Sequence, residues 1–410
     1  MPPMDSGLEL SPLPLNRRRS SVLDVLLVFA GANIVTTTLV TGGSIGTSFS
    51  LADGAALVFI GTLVGTGILA LLSRLGPRFG VPSMVLLRQP FGDRGSQAIS
   101  LLLVLTNFAW IALNNVIAGK ALANLAGGEE WLWSVAVGAA AVALTLYGPR
   151  AMALFNRFAV PLLVVVGIAL TVALSTAENR SRLTLPGTGS LSWLGGLDLV
   201  IGYQVSWSLM FADYTRFQRR ESRAALAVFL GMTLSSMWLM TLGAAAGKIG
   251  GANDPTAMIL GVGLPIAALL LMALSTITTN FVNLYLSSLA VRNLWSAAPA
   301  ARTVLTLGAI GTALGLASPN LLDSYAGFMG WIGSSFLPIV AIVIVHFFSV
   351  HREPDLPATR TGSIAAMAAW AAGVATYQLA LHVYSNWGAT LPTLLVSGLC
   401  YRILCRPSRD

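Results

Sequence analysis

Charged residues are scarce in this sequence. Lys, Arg, Asp and Glu make up 10% of its 410 residues, against about 25% in an ordinary soluble domain. A water-facing surface needs more charge than this, and 55% of the residues are hydrophobic, with a mean hydropathy of +0.76. The composition therefore excludes most soluble proteins and a disordered chain. It predicts an all-α integral membrane protein in a lipid bilayer, with room for about a dozen spans of roughly 20 residues.

Residues that commonly carry catalysis or bind metals are also few. The two cysteines are too few for a disulfide scaffold. None of the three histidines, His346, His351 and His382, falls with a carboxylate and a nucleophile in one group at mid-span. The sequence also has no GxxxxGK[ST] loop for a nucleotide. These absences argue against an ATP-driven pump and a membrane-embedded enzyme, and we predict no cofactor.

Apolar runs of spanning length recur along the chain. Glycine is abundant, with 41 residues, and lies inside many of these runs, where small residues let helices approach closely. The sequence predicts twelve transmembrane helices, at 22–41, 54–75, 97–122, 131–147, 153–176, 196–213, 223–246, 258–290, 303–319, 325–349, 363–382 and 387–404.

Basic residues are distributed unevenly between the two sides of this arrangement. With the N-terminus inside, the inner segments hold all of the 24 Lys and Arg residues except Lys120, Arg180, Arg182 and Lys248. Basic residues favour the cytoplasmic side, so we predict a multi-pass protein of the cell (inner) membrane with both termini cytoplasmic. The net charge of +8 is then a consequence of topology, and we predict no binding to nucleic acid.

Four predicted spans contain polar residues, which are costly in lipid unless they meet partners. The first span reads GANIVTTTLVTGGSIGTS over residues 31–48. This pattern fits a helix broken at mid-membrane, whose exposed carbonyls coordinate a cation. It also fits a continuous helix whose threonines bond to the preceding turn. The third span carries Trp110, a candidate platform for a flat ring, on the same face as Asn114.

The sixth and eighth spans carry the other two polar groups. In span six, the amide of Gln204 lies beside Tyr203 and Trp207 and suits the edge of a planar heterocycle, although a bond between helices explains it equally well. In span eight, the spacing of three residues places Ser275, Thr278 and Thr279 on one side of the helix. Their oxygens are hard ligands of the kind that sodium prefers. Asn280 and Asn283 follow.

The polar spans form two pairs whose members are five apart in chain order. Span one pairs with span six, and span three pairs with span eight. Paired interruptions at corresponding positions in two halves are typical of an inverted-repeat transporter with its binding site at the midplane. Four segments also resemble the nucleobase:cation symporter-1 family, particularly its bacterial cytosine permeases. They are TGGSIGTS (Thr41–Ser48), GPRFGVPSMVLLRQPFG (Gly76–Gly92), FADYTRF (Phe211–Phe217) and ITTNFVNLYLSSL (Ile277–Leu289).

This resemblance extends from about residue 20 to about residue 350, and it implies a LeuT-like fold that works by alternating access. The expected organisation is a cytoplasmic tail (1–20), a first repeat of five helices (21–176), an inverted second repeat (177–350) and two extra C-terminal helices (351–410). A sodium site is expected between helices one and eight, and it needs no resident cofactor.

Individual roles follow from the same resemblance. The implied sodium ligands are the main-chain carbonyls of Gly31, Ile34 and Ser275 and the hydroxyls of Thr278 and Thr279. The implied substrate site comprises Trp110, Tyr203, Gln204, Trp207, Asn280 and Asn283. The match is incomplete at Gln204, where family members commonly hold an aromatic residue, and Tyr203 and Trp207 are the nearest substitutes.

The sequence therefore predicts a secondary transporter that imports a nucleobase or related planar heterocycle, preferably cytosine-like, together with sodium. The alternatives are a proton-coupled permease and a permease for hydroxymethylpyrimidine, thiamine or allantoin-type substrates. The expected partners are this small molecule, sodium or a proton, and the lipid bilayer.

The predicted topology can be tested by cysteine accessibility. In intact cells, a membrane-impermeant maleimide should label neither native Cys405 nor an Arg219→Cys variant, because both positions are predicted to face the cytoplasm. Both should react after permeabilisation. Labelling of either position from outside would contradict the topology.

Overall fold

The structure is a computed structural model that describes residues 10–250, 258, 263, 265–318, 321–351, 362–383 and 388–405. Within these residues every regular element is a helix. The α-helices are α1 (Val22–Asn33), α2 (Thr36–Ser48), α3 (Leu51–Ser73), α4 (Leu75–Phe79), α5 (Ser83–Leu86), α6 (Arg88–Ala126), α7 (Glu130–Tyr147), α8 (Pro149–Leu174), α9 (Ala177–Leu183), α10 (Trp193–Val205), α11 (Glu221–Gly250), α12 (Pro265–Leu294), α13 (Ala300–Ala317), α14 (Tyr325–Val345), α15 (Ile364–His382) and α16 (Thr390–Leu404).

Eight helices in the described part of the chain are long and apolar enough to cross a membrane, and the bent pair α1 and α2 makes a ninth span. The sixth, eighth and twelfth predicted spans correspond to α10, α12 and α16, of 13, 30 and 15 residues. Residues 259–262 and 264 of the eighth predicted span, 319 of the ninth and 387 of the twelfth lie outside the described residues. The all-helical membrane fold is confirmed, while the boundaries of the two repeats stay a prediction.

The first span is a broken helix, as one of the two interpretations of its sequence requires. It begins with a capping box, in which the side chains of Ser21 and Asp24 each accept a hydrogen bond from the other's backbone N–H. The helix α1 ends at Asn33, Val35 is extended, and α2 continues at an angle of 58°. The span therefore reaches Ser48 rather than residue 41, because the break redirects the chain without ending the crossing.

The sixth span is also interrupted, so the prediction of a single helix over 196–213 is wrong in its second half. The helix α10 ends at Val205, and turns lead into two short 3-10 segments, Ser208–Met210 and Thr215–Phe217. Spans one and six thus both have non-helical backbone within them. Such backbone is tolerated at membrane depth where protein buries it or where it lines a cavity.

The helices α2 and α11 pack with their backbones in direct contact. A Cβ atom added to Gly42 would overlap the carbonyl of Met240, and one added to Gly46 would overlap the carbonyl of Ala244. From the other helix, a Cβ atom on Gly243 would overlap the carbonyl of Leu39. Only glycine permits this approach, so the second half of the broken span, α2, is fixed to α11.

The close packing predicts that Gly46→Ala destabilises the protein. The new methyl group must displace the backbone of α11, and overpacking of this kind costs about 1–3 kcal/mol. The matched control is Gly67→Ala in α3, where nothing lies within 4 Å of the added Cβ atom. Thermal unfolding of the purified variants should show a lower melting temperature for Gly46→Ala alone. Equal melting temperatures for the two variants would contradict the packing.

Candidate functional site

The break in α1 faces the polar stretch of α12. The Thr278 hydroxyl oxygen lies 2.8 Å from the Ser275 carbonyl oxygen and 3.3 Å from the Gly31 carbonyl oxygen. The neighbouring Thr279 hydroxyl donates to the Ala32 carbonyl at 3.0 Å. These oxygens form one buried group, which we call the oxygen cluster: the carbonyls of Gly31, Ala32 and Ser275 with the hydroxyls of Thr278 and Thr279.

The local sequence explains why this cluster exists. The last carbonyls of a helix lack the amide partners that the next turn would supply. In α1 this shortage falls at Gly31 and Ala32, which are buried. The β-branched threonines of α12 supply hydroxyls in place of the missing amides. The hydroxyl protons of Thr278 and Thr279 lie against these carbonyls. A bound cation could take the place of the protons.

One separation in the oxygen cluster matches a small hard cation, while the separations of 2.8 Å and 3.0 Å are those of hydrogen bonds. Calcium, which is close to sodium in radius, holds oxygen ligands at about 2.3–2.6 Å, so ligands at right angles lie about 3.3–3.7 Å apart. The separation of 3.3 Å between Thr278 Oγ1 and the Gly31 carbonyl is in this range. The buried Ser275 hydroxyl has no hydrogen-bond partner among the described residues and could supply a further oxygen.

The structure brings together four of the five predicted cation ligands. The fifth, Ile34, lies in the break itself, and its carbonyl stays a predicted ligand. The Ala32 carbonyl joins the cluster although it was not predicted. The positional comparison with the family pointed to Gly31 and Ile34, whereas the bond from Thr279 identifies Ala32 directly.

A small cavity of about 30 Å³ adjoins the oxygen cluster. Aromatic rings, hydroxyls and amides line it. The predicted residues among them are Trp110, Tyr203, Trp207, Asn283 and Thr279, and the other lining residues are Thr37, Leu103, Asn107, Ser206, Met210 and Leu286. The cavity thus holds both indoles that the sequence suggested for a flat ring.

Aromatic contacts fix the position of Trp110. Its ring meets Phe328 edge-on, with centroids 4.9 Å apart, and meets Tyr325 at 6.4 Å. Both partners come from α14, which the sequence did not associate with the site. The Tyr203 hydroxyl is fixed by a 2.6 Å hydrogen bond with the Thr38 hydroxyl. Rings held in this way lose little freedom when a planar molecule stacks on them.

Asn283 provides a hydrogen-bonding group that is still available. Its amide nitrogen is buried and has no hydrogen-bond partner among the described residues, and its side chain lines the cavity. A buried donor without a partner costs about 1–3 kcal/mol. A ring nitrogen or carbonyl of a bound heterocycle would remove that cost, so Asn283 is suited to read the edge of a substrate.

The other two predicted amides lie elsewhere. Gln204 donates to the Ser236 hydroxyl of α11 at 2.7 Å. Asn280 donates to Asn115 at 2.8 Å and accepts from Asn114 at 3.1 Å. Adjacent residues of a helix point about 100° apart, so Tyr203 can face the cavity while Gln204 faces α11. In this conformation both amides join helices, as the alternative interpretation of Gln204 proposed.

Polar contacts join the elements on two sides of the cavity. On the side of α2, the Tyr325 and Thr41 hydroxyls are 2.8 Å apart, and Tyr325, which contacts Trp110, also lines a separate open vestibule of about 810 Å³. Beyond Met210, Ser83 of α5 donates to the carboxylate of Asp213 and accepts from the backbone N–H of Ala212.

Known proteins resemble this chain over most of its length. A family model described as permease for cytosine/purines, uracil, thiamine, allantoin matches residues 12–401. The chain belongs to this permease family. Its relatives are transporters, so the chain is a multi-pass membrane transporter and not an enzyme, and the resemblance to the nucleobase:cation symporter-1 family is confirmed.

Individual relatives agree with this assignment. The cytosine permease of Escherichia coli (strain K12) is 26% identical over 358 residues, which cover 87% of this chain and 84% of the relative. The hydantoin permease of Microbacterium maritypicum is 24% identical over 345 residues, or 77% of this chain and 70% of the relative.

Among solved structures, Mhp1, a nucleobase-cation-symport-1 family transporter in a closed conformation with bromovinylhydantoin bound, superposes with a TM-score of 0.81 at 20% identity. The match covers 96% of this chain and 95% of that one. This similarity confirms the fold.

The geometry predicts different effects for the ring and the amide of the cavity. Trp110→Ala should weaken binding of all accepted bases by a similar factor, because stacking on an aromatic ring contributes about 1–3 kcal/mol whichever base is bound. Asn283→Ala should change the ranking of cytosine against uracil, because these bases differ in the donors and acceptors along one edge. Competition uptake with a panel of bases measures both effects.

The matched control for Asn283→Ala is Gln204→Ala, which removes an amide that bonds to Ser236 outside the cavity. The control should lower thermal stability and leave the ranking of bases unchanged. If Gln204→Ala altered the ranking and Asn283→Ala did not, the assignment of Asn283 as the edge-reading residue would be wrong.

Proposed function

We propose that the protein imports a nucleobase or related planar heterocycle, preferably cytosine-like, and couples this import to sodium by alternating access. One observation carries the proposal: Thr279 belongs both to the oxygen cluster and to the lining of the aromatic cavity. A cation held by its oxygen and a base held in the cavity would therefore be direct neighbours. Such contact gives each ligand a physical means of stabilising the other.

The chemistry of the oxygen cluster favours sodium over a proton. Its carbonyls and hydroxyls do not titrate near neutral pH, whereas proton-coupled carriers use acidic or histidine side chains within the membrane. Three acids within or beside the spans accept hydrogen bonds from the protein itself. Asp24 caps α1, Asp198 accepts from the N–H groups that begin α16, and Asp213 accepts from Ser83.

The small cavity favours a substrate with one ring. Cytosine presents a flat face to Trp110 and Trp207 and a polar edge to Asn283, whereas the two rings of thiamine would require a larger space. Hydantoin and allantoin-type substrates are the second candidate, because one relative is a hydantoin permease and Mhp1 holds a hydantoin. A proton-coupled permease is the alternative mechanism.

Orientation follows from charge. We infer that the protein lies in the inner membrane with both termini in the cytoplasm, because this places most arginines inside. The vestibule beside Tyr325 then lies toward the exterior, and Asp213 lies toward the cytoplasm. Import requires the cavity to open to each side in turn.

Removal of the Thr278 hydroxyl tests the coupling ion. Thr278→Ala should raise the sodium concentration for half-maximal uptake about tenfold or more, since a hydrogen bond or contact to a charged group contributes about 1.5–3 kcal/mol. Uptake at saturating sodium should recover, because Thr278 does not line the cavity. Radiolabelled cytosine uptake into proteoliposomes, with sodium and proton gradients imposed separately, provides the measurement.

Thr376→Ala is the matched control, because the Thr376 hydroxyl donates within its own helix, to the carbonyl of Ala372. This variant should keep the sodium dependence of the parent. Uptake that follows a proton gradient and ignores sodium in the parent protein would refute sodium coupling and leave the substrate assignment standing. Transport of hydantoins alone would refute the preference for cytosine.

A further inference from the structure

A groove surrounded by five arginines lies where the N-terminal tail meets the connection between the sixth span and α11. Its volume is about 580 Å³. Residues of two chain segments line it: Arg18, Arg19, Ser20, Ser21 and Val22 from the first, and Gln218, Arg219, Arg220 and Arg223 from the second. Topology requires only that arginines lie on this face of the protein. It does not require five of them to surround one concave surface.

Hydrogen bonds hold the two walls of the groove together. The backbone N–H of Ser20 donates to the Phe217 carbonyl at 3.0 Å, and the Arg219 side chain donates to the Arg18 carbonyl at 3.0 Å. Arg18 is buried and donates to the Leu13 carbonyl at 2.8 Å. The groove is therefore built into the fold before any ligand arrives.

The positive charge of the groove is not balanced by the acids nearest to it in the chain. Glu221 pairs with Arg74 of the α3–α4 junction, at 3.2 Å. Asp24 caps α1 and lies 3.5 Å from Arg157 of α8. Both carboxylates are thus engaged by arginines that do not line the groove.

Two further features indicate the chemistry of a ligand. The helix α11 begins at Glu221, so the positive end of its dipole adds to the charge at this place. Gln218 is 2% exposed, and its side-chain oxygen has no hydrogen-bond partner among the described residues. An anion would pair with the arginines, and a hydroxyl beside it would donate to the Gln218 oxygen. A phosphate ester of a polyol carries both groups.

Apolar side chains continue from the groove along the helices that begin there. Leu23 in the first turn of α1 is 60% exposed, and Leu226 in the second turn of α11 is 50% exposed. An acyl chain could lie against them while its headgroup occupies the groove. We propose that the groove binds a phosphate ester, and that its source is the headgroup of an anionic phospholipid of the inner leaflet. A free nucleotide has the same anionic chemistry and lacks the acyl chains.

The test compares two double variants by binding rather than transport. Arg220→Gln/Arg223→Gln removes two exposed arginines of the groove, and Arg150→Gln/Arg302→Gln removes two exposed arginines elsewhere. Each full-length protein in detergent is titrated with phosphatidylglycerol or phosphatidylcholine, and the melting temperature is recorded. Phosphatidylglycerol should stabilise the parent and the control. Its apparent affinity should fall about tenfold or more in the groove variant, since each basic residue near an anionic lipid contributes to binding.

Separate arms distinguish the sources of the phosphate. Cytidine monophosphate and inorganic phosphate are titrated without added lipid. A shift that they produce and that the groove variant loses would assign the site to a soluble phosphate instead of a lipid. Equal effects of the two lipids with no response to either soluble probe, or equal losses in both double variants, would overturn the proposal. Because no uptake is measured, these outcomes are independent of the transported substrate.

Discussion

The contact between the break in α1 and the threonines of α12 is the constraint on which the rest of the site depends. A broken helix in apolar surroundings leaves carbonyls that must find partners, and Thr278 and Thr279 supply them at Gly31 and Ala32. The break turns the chain by 58°, and both halves of the span pack on α11: Asn33 of α1 donates to Ser236, and glycines let the backbones of α2 and α11 touch. The aromatic cavity then lies beside the break.

The sequence was sufficient to predict the membrane fold, the approximate spans and the region of the site, because lipid imposes apolar length and makes polar residues conspicuous. It could not decide which way each polar side chain faces. Tyr203 and Gln204 are adjacent, yet one lines the cavity and the other bonds to α11. Residue spacing does not show how a broken helix is rotated about its own axis. It therefore does not show which of two neighbouring side chains faces the cavity. The contribution of Tyr325 was missed for a related reason, since an aromatic residue in an apolar span resembles ordinary core.

Two small polar contacts join elements near the cavity, and their chemistry differs. Near the vestibule, two hydroxyls meet, Tyr325 with Thr41. Between α5 and the second half of span six, a hydroxyl, a backbone amide and the Asp213 carboxylate form a more extensive network around Ser83. A neutral hydrogen bond contributes about 0.5–1.5 kcal/mol, and one to a charged group contributes about 1.5–3 kcal/mol. The contact near the vestibule is therefore the weaker of the two.

The shared position of Thr279 has a thermodynamic consequence. Its hydroxyl has one proton and a limited set of lone-pair directions, so a ligand on either side changes what it offers to the other. Linkage requires reciprocity: whatever factor a cation adds to the affinity for a base, the base adds to the affinity for the cation. If a cation and a base favour each other through this hydroxyl, the half-loaded carrier is less populated than independent binding would make it. Fewer carriers would then change access with only the ion bound, and less of the ion gradient would be dissipated.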